Sequence, residues 1–273
     1  MRVGSSETVY YLYCLTPGGC GVQASGIGVD GQGPISVRAC GEIGAVLSEV
    51  ELEEFCGESA DVRLQDLAWL GPRVCRHEAV IEELMSRTPV LPARFATLFT
   101  SFDNVRQSVL AHQEAIAGFF ARLGDQQEWA VKGLLNRADA LERLGSSGEP
   151  AAEERALVTS PGARYFQEKR IKAQLERDFN LRLKEFCRRA AAALGAQAGG
   201  FRERKVLGSI TAGTDAEVVL NWAFLLSPAA LEDFRVRLDR FNVGEAFPGL
   251  MLALTGPWPP YSFAPDLSGG AKA

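Results

Sequence analysis

The order of predicted elements in the second half of the chain constrains the fold more than any other feature of the sequence. From about residue 126, β-branched and apolar runs predict a strand, a long helix, two strands, a shorter helix and a last strand. The long helix begins near Pro161, and its apolar side chains recur every three or four residues. These positions are Leu175, Phe179, Leu183, Phe186, Ala190 and Leu194. With right-handed crossovers, the order β-α-β-β-α-β builds a four-stranded antiparallel sheet with both helices on one face.

Strands and helices are also mixed in the first half of the chain. A strand at residues 8–15 precedes a glycine-rich loop, and strands at 35–40 and 43–50 flank a short turn that favours a hairpin. Apolar positions at helical spacing follow on both sides of residue 90. The helices are predicted at residues 62–70, 72–86 and 101–124.

Together these patterns predict an α+β chain of two domains. We expect an N-terminal α+β domain at residues 1–125, a modified ferredoxin-like domain at 126–255 and an aromatic, proline-rich extension at 256–273. Inside the second domain, the elements after the long helix are predicted at fixed positions. They are strands at 205–209 and 217–226, a helix at 228–241 and a strand at 249–255.

The apolar run from Pro89 to Phe99 is unusual because it reads as a strand but contains two prolines and one guanidinium. Proline has no N–H group, so Pro92 belongs at the start of a strand, at an edge or at a bulge. Arg94 needs a polar partner if the segment is covered. The simplest partner is a carboxylate of the acidic stretch 51–54, and the other interpretation is a polar anchor on a partner-facing edge.

This run resembles the Leu-Pro-x-Arg-Phe-Gly-Thr-x-Phe segment of the gas vesicle protein GvpL/GvpF family. The matching residues are Leu91, Pro92, Arg94, Phe95, Thr97 and Phe99. Ala96 stands where the family usually carries glycine, which calls into question any close backbone approach at that position. Three further segments resemble the family in the expected order. They are residues 10–14, 128–132 and 256–263.

The resemblance implies a function in gas vesicle formation and leaves the subtype, GvpF or GvpL, open. Members of the family are accessory proteins with two α+β domains, which associate with the shell as minor components. The resemblance implies binding of the hydrophobic shell protein GvpA, assistance in nucleation and assembly, and a position on the gas-facing side of the wall. The alternative is a minor structural component of the shell that oligomerises with other accessory proteins.

Composition excludes several other classes of protein. The net charge of −5 and the pI near 5.3 disfavour a nucleic-acid or lipid-membrane partner, since both favour clustered Lys and Arg. No apolar run is long enough to span a membrane, and no signal peptide is predicted, so we expect a cytoplasmic protein. The six cysteines form no C-x-x-C pair and are expected to be reduced thiols.

The sequence predicts no catalytic, cofactor-binding or metal-binding residues, so we expect a protein that is not an enzyme and has no cofactor. His77 and His112 have no metal-ligand spacing and are interpreted as surface residues of helices. Gly26, Gly28 and Gly31 match G-x-G-x-x-G, but no helix is predicted directly behind them, so we interpret the match as accidental.

The candidate functional residues therefore belong to a partner-binding surface. In the extension, aromatic residues alternate with prolines, a composition that favours extended polyproline II structure. Such a segment either folds back over its own domain or presents its aromatic side chains to a partner. The predicted partner-binding residues are Arg94, Phe95, Trp258, Tyr261 and Phe263.

Overall fold

The computed structural model describes residues 7–18, 23–146, 161–206 and 216–267. The described chain is a mixed α/β structure with two antiparallel sheets, and it divides into two compact units. The first unit contains residues up to Gln127 together with the chain from Trp258 onwards, and the second contains Glu128–Pro257. The end of the chain therefore groups with the first unit.

The sheet of the first unit is built around its first strand, β1. That strand pairs with β3 along its whole length, and the order across the sheet is β2-β3-β1-β4, with β5 also paired to β1. The predicted strand at 8–15 and the predicted hairpin are confirmed, because β2 and β3 pair through a two-residue turn. The strands are β1 Thr8–Pro17, β2 Ser36–Cys40, β3 Ile43–Glu51, β4 Leu91–Pro92 and β5 Leu98–Phe99.

Five helices accompany this sheet in the described part of the first unit. They are α1 Leu52–Phe55, α2 Glu58–Arg63, α3 Leu67–Met85, α4 Phe102–Ala111 and α5 Gln113–Leu123. The first core is formed by β1 and β3 on one side and α3 on the other, with Tyr11, Tyr13, Ile81 and Leu84 almost completely buried. Helix α4 begins after Ser101, whose hydroxyl caps the helix by accepting a hydrogen bond from the Asn104 N–H group.

The three helices predicted in the first unit have different limits in the structure. The separate helices at 62–70 and 72–86 are replaced by α2 and by one helix, α3, which runs through Pro72. Asp66 caps α3 by accepting from the Ala68 N–H group, so the helix is already established before the proline. The predicted helix at 101–124 is two helices that meet at His112, whose φ of −113° and ψ of 15° are not helical.

The segment 89–99 is not one strand, as predicted, but two short strands joined by a turn. Pro92 lies at the end of β4 opposite Cys14, and the Ala93 N–H group donates to the Tyr13 carbonyl oxygen. After that bond the chain leaves the ladder. The Thr97 N–H and hydroxyl groups both donate to the Arg94 carbonyl oxygen, at 3.2 and 2.7 Å, and this closes the turn before β5.

The second unit contains four strands in the order β7-β8-β6-β9 and three helices in the part that the structure describes. The strands are β6 Gln127–Leu135, β7 Gly200–Glu203, β8 Glu217–Leu226 and β9 Leu250–Trp258. The helices are α6 Arg137–Ser146, α7 Pro161–Gly195 and α8 Leu231–Val243. The second core buries the predicted α7 positions Phe179, Phe186, Ala190 and Leu194 against Trp222 and Phe224 of β8.

One strand of the second unit was predicted in the wrong place. The strand expected at 205–209 is instead β7, which pairs with β8 from Gly200 opposite Leu225 to Glu203 opposite Trp222. Phe201 packs against Phe224, with ring centroids 5.1 Å apart, and this contact fixes the earlier register. Residues 207–209 of the predicted strand, and residues 210–215 after it, lie outside the described residues.

Candidate partner-binding surface

The carboxyl-terminal tail, which we define as residues 258–267, packs onto the first core through Tyr261. The Tyr261 ring contacts the cluster of buried residues that β1, β3 and α3 form. Its hydroxyl donates to Glu78 Oε1 at 2.9 Å and lies 3.2 Å from Nε2 of His77. Pro259 and Pro260 beside it are buried as well. Tyr261 is therefore an internal anchor of the tail in this structure.

His77 is the residue to which the tail attaches. The interpretation as a helix-surface histidine was wrong, because the side chain is fully buried. Its ring stacks on Tyr13 with centroids 5.8 Å apart and meets the rings of Tyr11 and Phe95 edge-on. His77 shares one face of α3 with Val80, Ile81 and Leu84, at the spacing i, i+3, i+4 and i+7. This spacing was the signal in the sequence that could have located it.

The hydrogen bonds around His77 fix its tautomer. Nε2 lies 3.2 Å from the Ala93 carbonyl oxygen, which can only accept, so Nε2 carries the proton. Nδ1 then accepts from the Tyr11 hydroxyl at 2.9 Å, and the Tyr11 oxygen accepts from the Ala96 N–H group at 3.1 Å. The donors and acceptors are matched only when the imidazole is neutral.

Burial changes the proton affinity of every titratable group in this cluster. Desolvation lowers the pKa of His77 to about 4, and it raises the pKa of the Tyr11, Tyr13 and Tyr261 hydroxyls. Burial also raises the pKa of Glu78, although the hydrogen bond from Tyr261 opposes that rise. The cluster is therefore arranged to hold a neutral histidine near neutral pH.

We expect the protein to lose stability when the pH falls from about 6.5 towards 4. The unfolded chain binds a proton at His77 near its ordinary pKa of 6.5, whereas the folded chain stays neutral down to about 4. The free energy of unfolding should therefore fall by about 3 kcal/mol across this window. The raised pKa of Glu78 acts in the opposite direction and reduces the observed change.

Urea denaturation of the wild type and of His77→Gln at several pH values measures this effect. The variant has no titrating imidazole, so its stability should depend less on pH between 7 and 5. If both proteins showed the same dependence, His77 would not be the group responsible.

Ala96 occupies a backbone conformation that favours glycine. Its φ is +61°, and it is the one non-glycine residue with positive φ among the described residues. The conformation lets the Ala96 N–H group reach the Tyr11 hydroxyl. The glycine that the family usually carries here would adopt this conformation without steric cost.

Ala96→Gly should therefore increase the free energy of unfolding, by up to about 1 kcal/mol after the extra freedom of the unfolded glycine is counted. The matched control is Ala93→Gly, three residues earlier, where φ is not positive. That change should destabilise the fold by about 0.5–1 kcal/mol. Thermal or chemical denaturation of both variants checks the prediction, and a loss of stability in both would contradict it.

The predicted ion pair of Arg94 with the acidic stretch was wrong. The Glu54 carboxylate instead pairs with Arg73, whose guanidinium lies over the Trp69 ring, 4.2 Å from its centroid. Arg94 is exposed, and its guanidinium makes no ion pair within the described part of the chain. Phe95 differs from it, because its ring packs in the first core beside Tyr11 and Phe55.

Trp258 is one of the residues that line a cavity of about 190 Å³ in the first unit. The wall of the cavity includes Pro89 and Val90, just before β4, and Leu123 at the end of α5. Trp258 is 42% exposed, whereas Phe263 further along the tail is half-buried. Of the predicted residues, Arg94 and Trp258 thus present the most surface to solvent.

The glycine-rich loop uses its own polar groups internally. The Asp30 carboxylate accepts from the N–H groups of Gln32 and Gly33, and the Val29 N–H group donates to the Tyr13 hydroxyl. Arg76 donates to the Val29 carbonyl oxygen. These bonds attach the described part of the loop to the first core.

Metal sites and membrane-spanning helices are both absent from the part of the chain that the structure describes. Within residues 7–18, 23–146, 161–206 and 216–267, no group of three His, Cys, Asp or Glu side chains could hold a metal ion. In the same residues, no helix is long and apolar enough to cross a membrane. Five cysteines lie in these residues, and each is a free thiol.

Comparison with known proteins gives the class to which this chain belongs. A family model described as gas vesicle synthesis protein GvpL/GvpF matches residues 9–265. Gas vesicle protein L of Streptomyces sp. (strain CB03234) is 30% identical over 262 residues, which cover 95% of this chain and 94% of that relative. Gas vesicle protein L1 of Halobacterium salinarum is 26% identical over 268 residues, covering 94% and 90%.

Two solved structures have the same fold. GvpF from Anabaena sp. PCC7120 has a TM-score of 0.69 and 17% identity and covers 95% of this chain and 97% of its own. GvpF from Microcystis aeruginosa has a TM-score of 0.66 and 17% identity, covering 94% and 99%. The sequence matches define a gas vesicle protein. More specifically, the chain belongs to the GvpL/GvpF family, as its signature segments predicted.

Proposed function

We propose that this chain binds the hydrophobic shell protein GvpA and assists the nucleation and assembly of the gas vesicle. The proposal is based on membership of the GvpL/GvpF family over almost the whole chain. It also requires a surface that can cover apolar groups of a subunit before that subunit enters the shell. We propose that this function involves no catalysis and takes place in the cytoplasm, at the gas-facing side of the growing wall.

The observation that best supports a binding site is the indole of Trp258, which is partly exposed and lines the cavity of the first unit. Tryptophan is enriched in the energetically important centres of protein interfaces, because it buries a large area with few rotatable bonds. Here the tail is already anchored at Tyr261, so little ordering is needed when a partner binds. We include Arg94 and Phe263 in the proposed surface. Phe95 and Tyr261 pack against the first core and so anchor the two segments that carry it.

The ferredoxin-like nature of the second domain is part of this proposal. The strand order β7-β8-β6-β9 and the succession of elements agree with a modified ferredoxin-like sheet, with α6 as an additional helix. We propose the domain limits 1–125 and 126–255 with an extension at 256–273. We assign the tail of this extension, residues 258–267, to the GvpA-binding surface of the first unit.

Trp258→Ala should reduce GvpA binding at least about tenfold, because the indole would be the main apolar contact. The test is co-expression of the full-length chain with GvpA, followed by capture of the chain and measurement of the GvpA retained. The matched control is Tyr165→Ala on α7, which removes an aromatic side chain that is 61% exposed.

Two outcomes would count against the proposal. Equal GvpA retention by Trp258→Ala and the wild type would remove the tail from the interface, provided that both are folded. Absence of GvpA from the wild-type capture would contradict direct binding. In that case the alternative, a minor shell component that oligomerises with other accessory proteins, predicts a fixed stoichiometry of the chain in purified vesicles.

A further inference from the structure

Helix α7 has a charge opposite to that of the whole chain. Residues 161–195 contain nine Lys and Arg against four Asp and Glu, although the chain has a net charge of −5. One face of α7 is buried in the second core through Phe179, Phe186 and Leu194. The excess positive charge therefore lies on the remaining surface of the helix. Packing of the core does not explain why Lys and Arg are concentrated there.

The opposite face of α7 forms a basic and apolar stripe. Its members follow each other at helical spacing, about half a turn from the core positions, with no acidic residue among them. The stripe consists of Phe166, Arg170, Arg177, Leu181, Lys184 and Arg188. Phe166 is 71% exposed and Leu181 is 66% exposed. Arg170, Arg177 and Lys184 make no ion pair with any residue that the structure describes.

An apolar groove of about 480 Å³ lies beside the stripe in the second unit. Its apolar wall includes Leu144, Phe186, Phe247 and Pro248, and Leu181 belongs to both the groove and the stripe. Arg182 and Arg189 stand among the residues that line it. Arg189 is paired with Glu245 at 3.5 Å, whereas Arg182 has no ionic partner in the described part of the chain. Glu185 and Glu245 also line the groove, and they pair with Arg188 and Arg189. Within the described residues, the groove thus offers apolar surface beside the unpaired positive charge of Arg182.

The first unit carries a complementary projection, which we call the acidic corner. It is the turn between α2 and α3 together with the adjoining residues of α1 and α2, and it consists of Glu53, Asp61, Val62, Leu64, Asp66 and Leu67. Val62 is 71% exposed and Leu67 is 80% exposed, which is unusual for aliphatic side chains so close together. Residues 49–66 contain seven Asp and Glu and one Arg.

We propose that the acidic corner of one copy of this chain docks into the groove and basic stripe of a second copy. The aliphatic side chains of the corner would enter the apolar groove, and its carboxylates would face Arg182 and the stripe. The two surfaces differ, so the contact is heterologous and each copy has one of each surface left to extend the assembly. This self-association is independent of GvpA binding, because it uses neither the tail nor the segment 89–99.

Sedimentation velocity of the full-length chain over a range of concentration and salt tests the proposal. The wild type should associate at low salt, and the association should weaken as salt rises, because exposed charges are screened. Two double variants each remove one surface. Leu181→Gln with Arg182→Gln removes the groove, and Val62→Gln with Leu67→Gln removes the corner. Each double variant should still fold, because these exposed positions carry little of the fold's stability. Each should remain monomeric where the wild type associates, because it lacks one of the two surfaces.

A mixture of the two double variants gives the decisive result. Each retains the surface that the other lacks, so an equimolar mixture should form a one-to-one dimer that cannot grow further. Val243→Gln is the control, because Val243 is 84% exposed in the second unit but lies outside the groove and the stripe. A wild type that stays monomeric at every salt concentration, or a mixture that stays monomeric, would overturn the proposal. So would binding of the stripe to anionic lipid vesicles without self-association.

Discussion

Tyr261→Ala is expected to lower the free energy of unfolding by about 3 kcal/mol, which is a large part of the stability of an ordinary domain. The change removes a ring that packs on the first core and leaves Glu78 and His77 Nε2 without the hydroxyl between them. His77 is fully buried and its Nε2 keeps the Ala93 carbonyl oxygen as a partner, whereas the half-buried Glu78 loses the hydrogen bond from Tyr261. The tail would then come away from residues 77–93.

Two further variants separate the parts of this effect. Tyr261→Phe keeps the ring and removes only the hydroxyl, and it should cost about 1–2 kcal/mol. Phe263→Ala changes a half-buried aromatic residue of the same tail, and it controls for a general loss of aromatic surface. Urea denaturation provides the free energies, and limited proteolysis reports whether the tail is released. Unchanged stability in Tyr261→Ala would mean that the tail does not dock on α3 in solution.

Glu128→Ala is expected to have an equally large effect in the second unit, with a loss of about 3–5 kcal/mol. The Glu128 carboxylate is buried at the start of β6 and forms an ion pair with Arg204, which follows β7. Burial lowers the pKa of the Arg204 guanidinium from its ordinary value, but the group stays charged at neutral pH and favours a carboxylate beside it. Removing Glu128 takes this carboxylate away from a partly buried cation.

The pair can be tested by comparison with an exposed pair in the same unit. The double variant Glu128→Ala with Arg204→Ala should lose less stability than the sum of the two single variants, because neither charge is then left unpaired. The exposed pair of Arg143 and Asp139 on α6 is the control, and Arg143→Ala should cost less than about 1 kcal/mol. If the losses of stability in the two single variants simply added up in the double variant, Glu128 and Arg204 would not be coupled as a buried ion pair.

Local sequence patterns predicted the elements that can be recognised from their own residues alone. β8 was predicted at its observed limits, because nine of its ten residues form a run that is apolar except for Asn221. The apolar stripe of α7 was also predicted, since helical spacing repeats over several turns. In α7 the residues that pack are specified by the helical period of the sequence, and in β8 by a continuous apolar run.

The attachment of the tail could not be predicted from such patterns. Tyr261 and His77 are 184 residues apart, and no periodicity connects them. The turn at Ala96 was missed for a related reason, since its positive φ is stabilised by the Tyr11 hydroxyl from a strand far away in sequence. The buried Glu128 carries one signal, an acid directly before an apolar strand, but its partner Arg204 again lies far along the chain.

The attachment of the tail also affects how the chain can be divided for experiments. A fragment ending near residue 125 would lack Tyr261 and expose the pocket beside His77. Loss of GvpA binding by such a fragment would then report damage to the first unit and not the location of the interface. Variants of the full-length chain avoid this ambiguity.

The most direct test of GvpA binding through the tail is photo-crosslinking from position 258 in the full-length chain. A photoreactive phenylalanine analogue at Trp258 should form a covalent adduct with GvpA during co-expression, and the same analogue at the exposed Tyr165 should not. An adduct from 258 alone is the result that we predict. Failure to crosslink GvpA from 258, with the wild-type chain still supporting vesicle formation, would contradict binding through the tail surface.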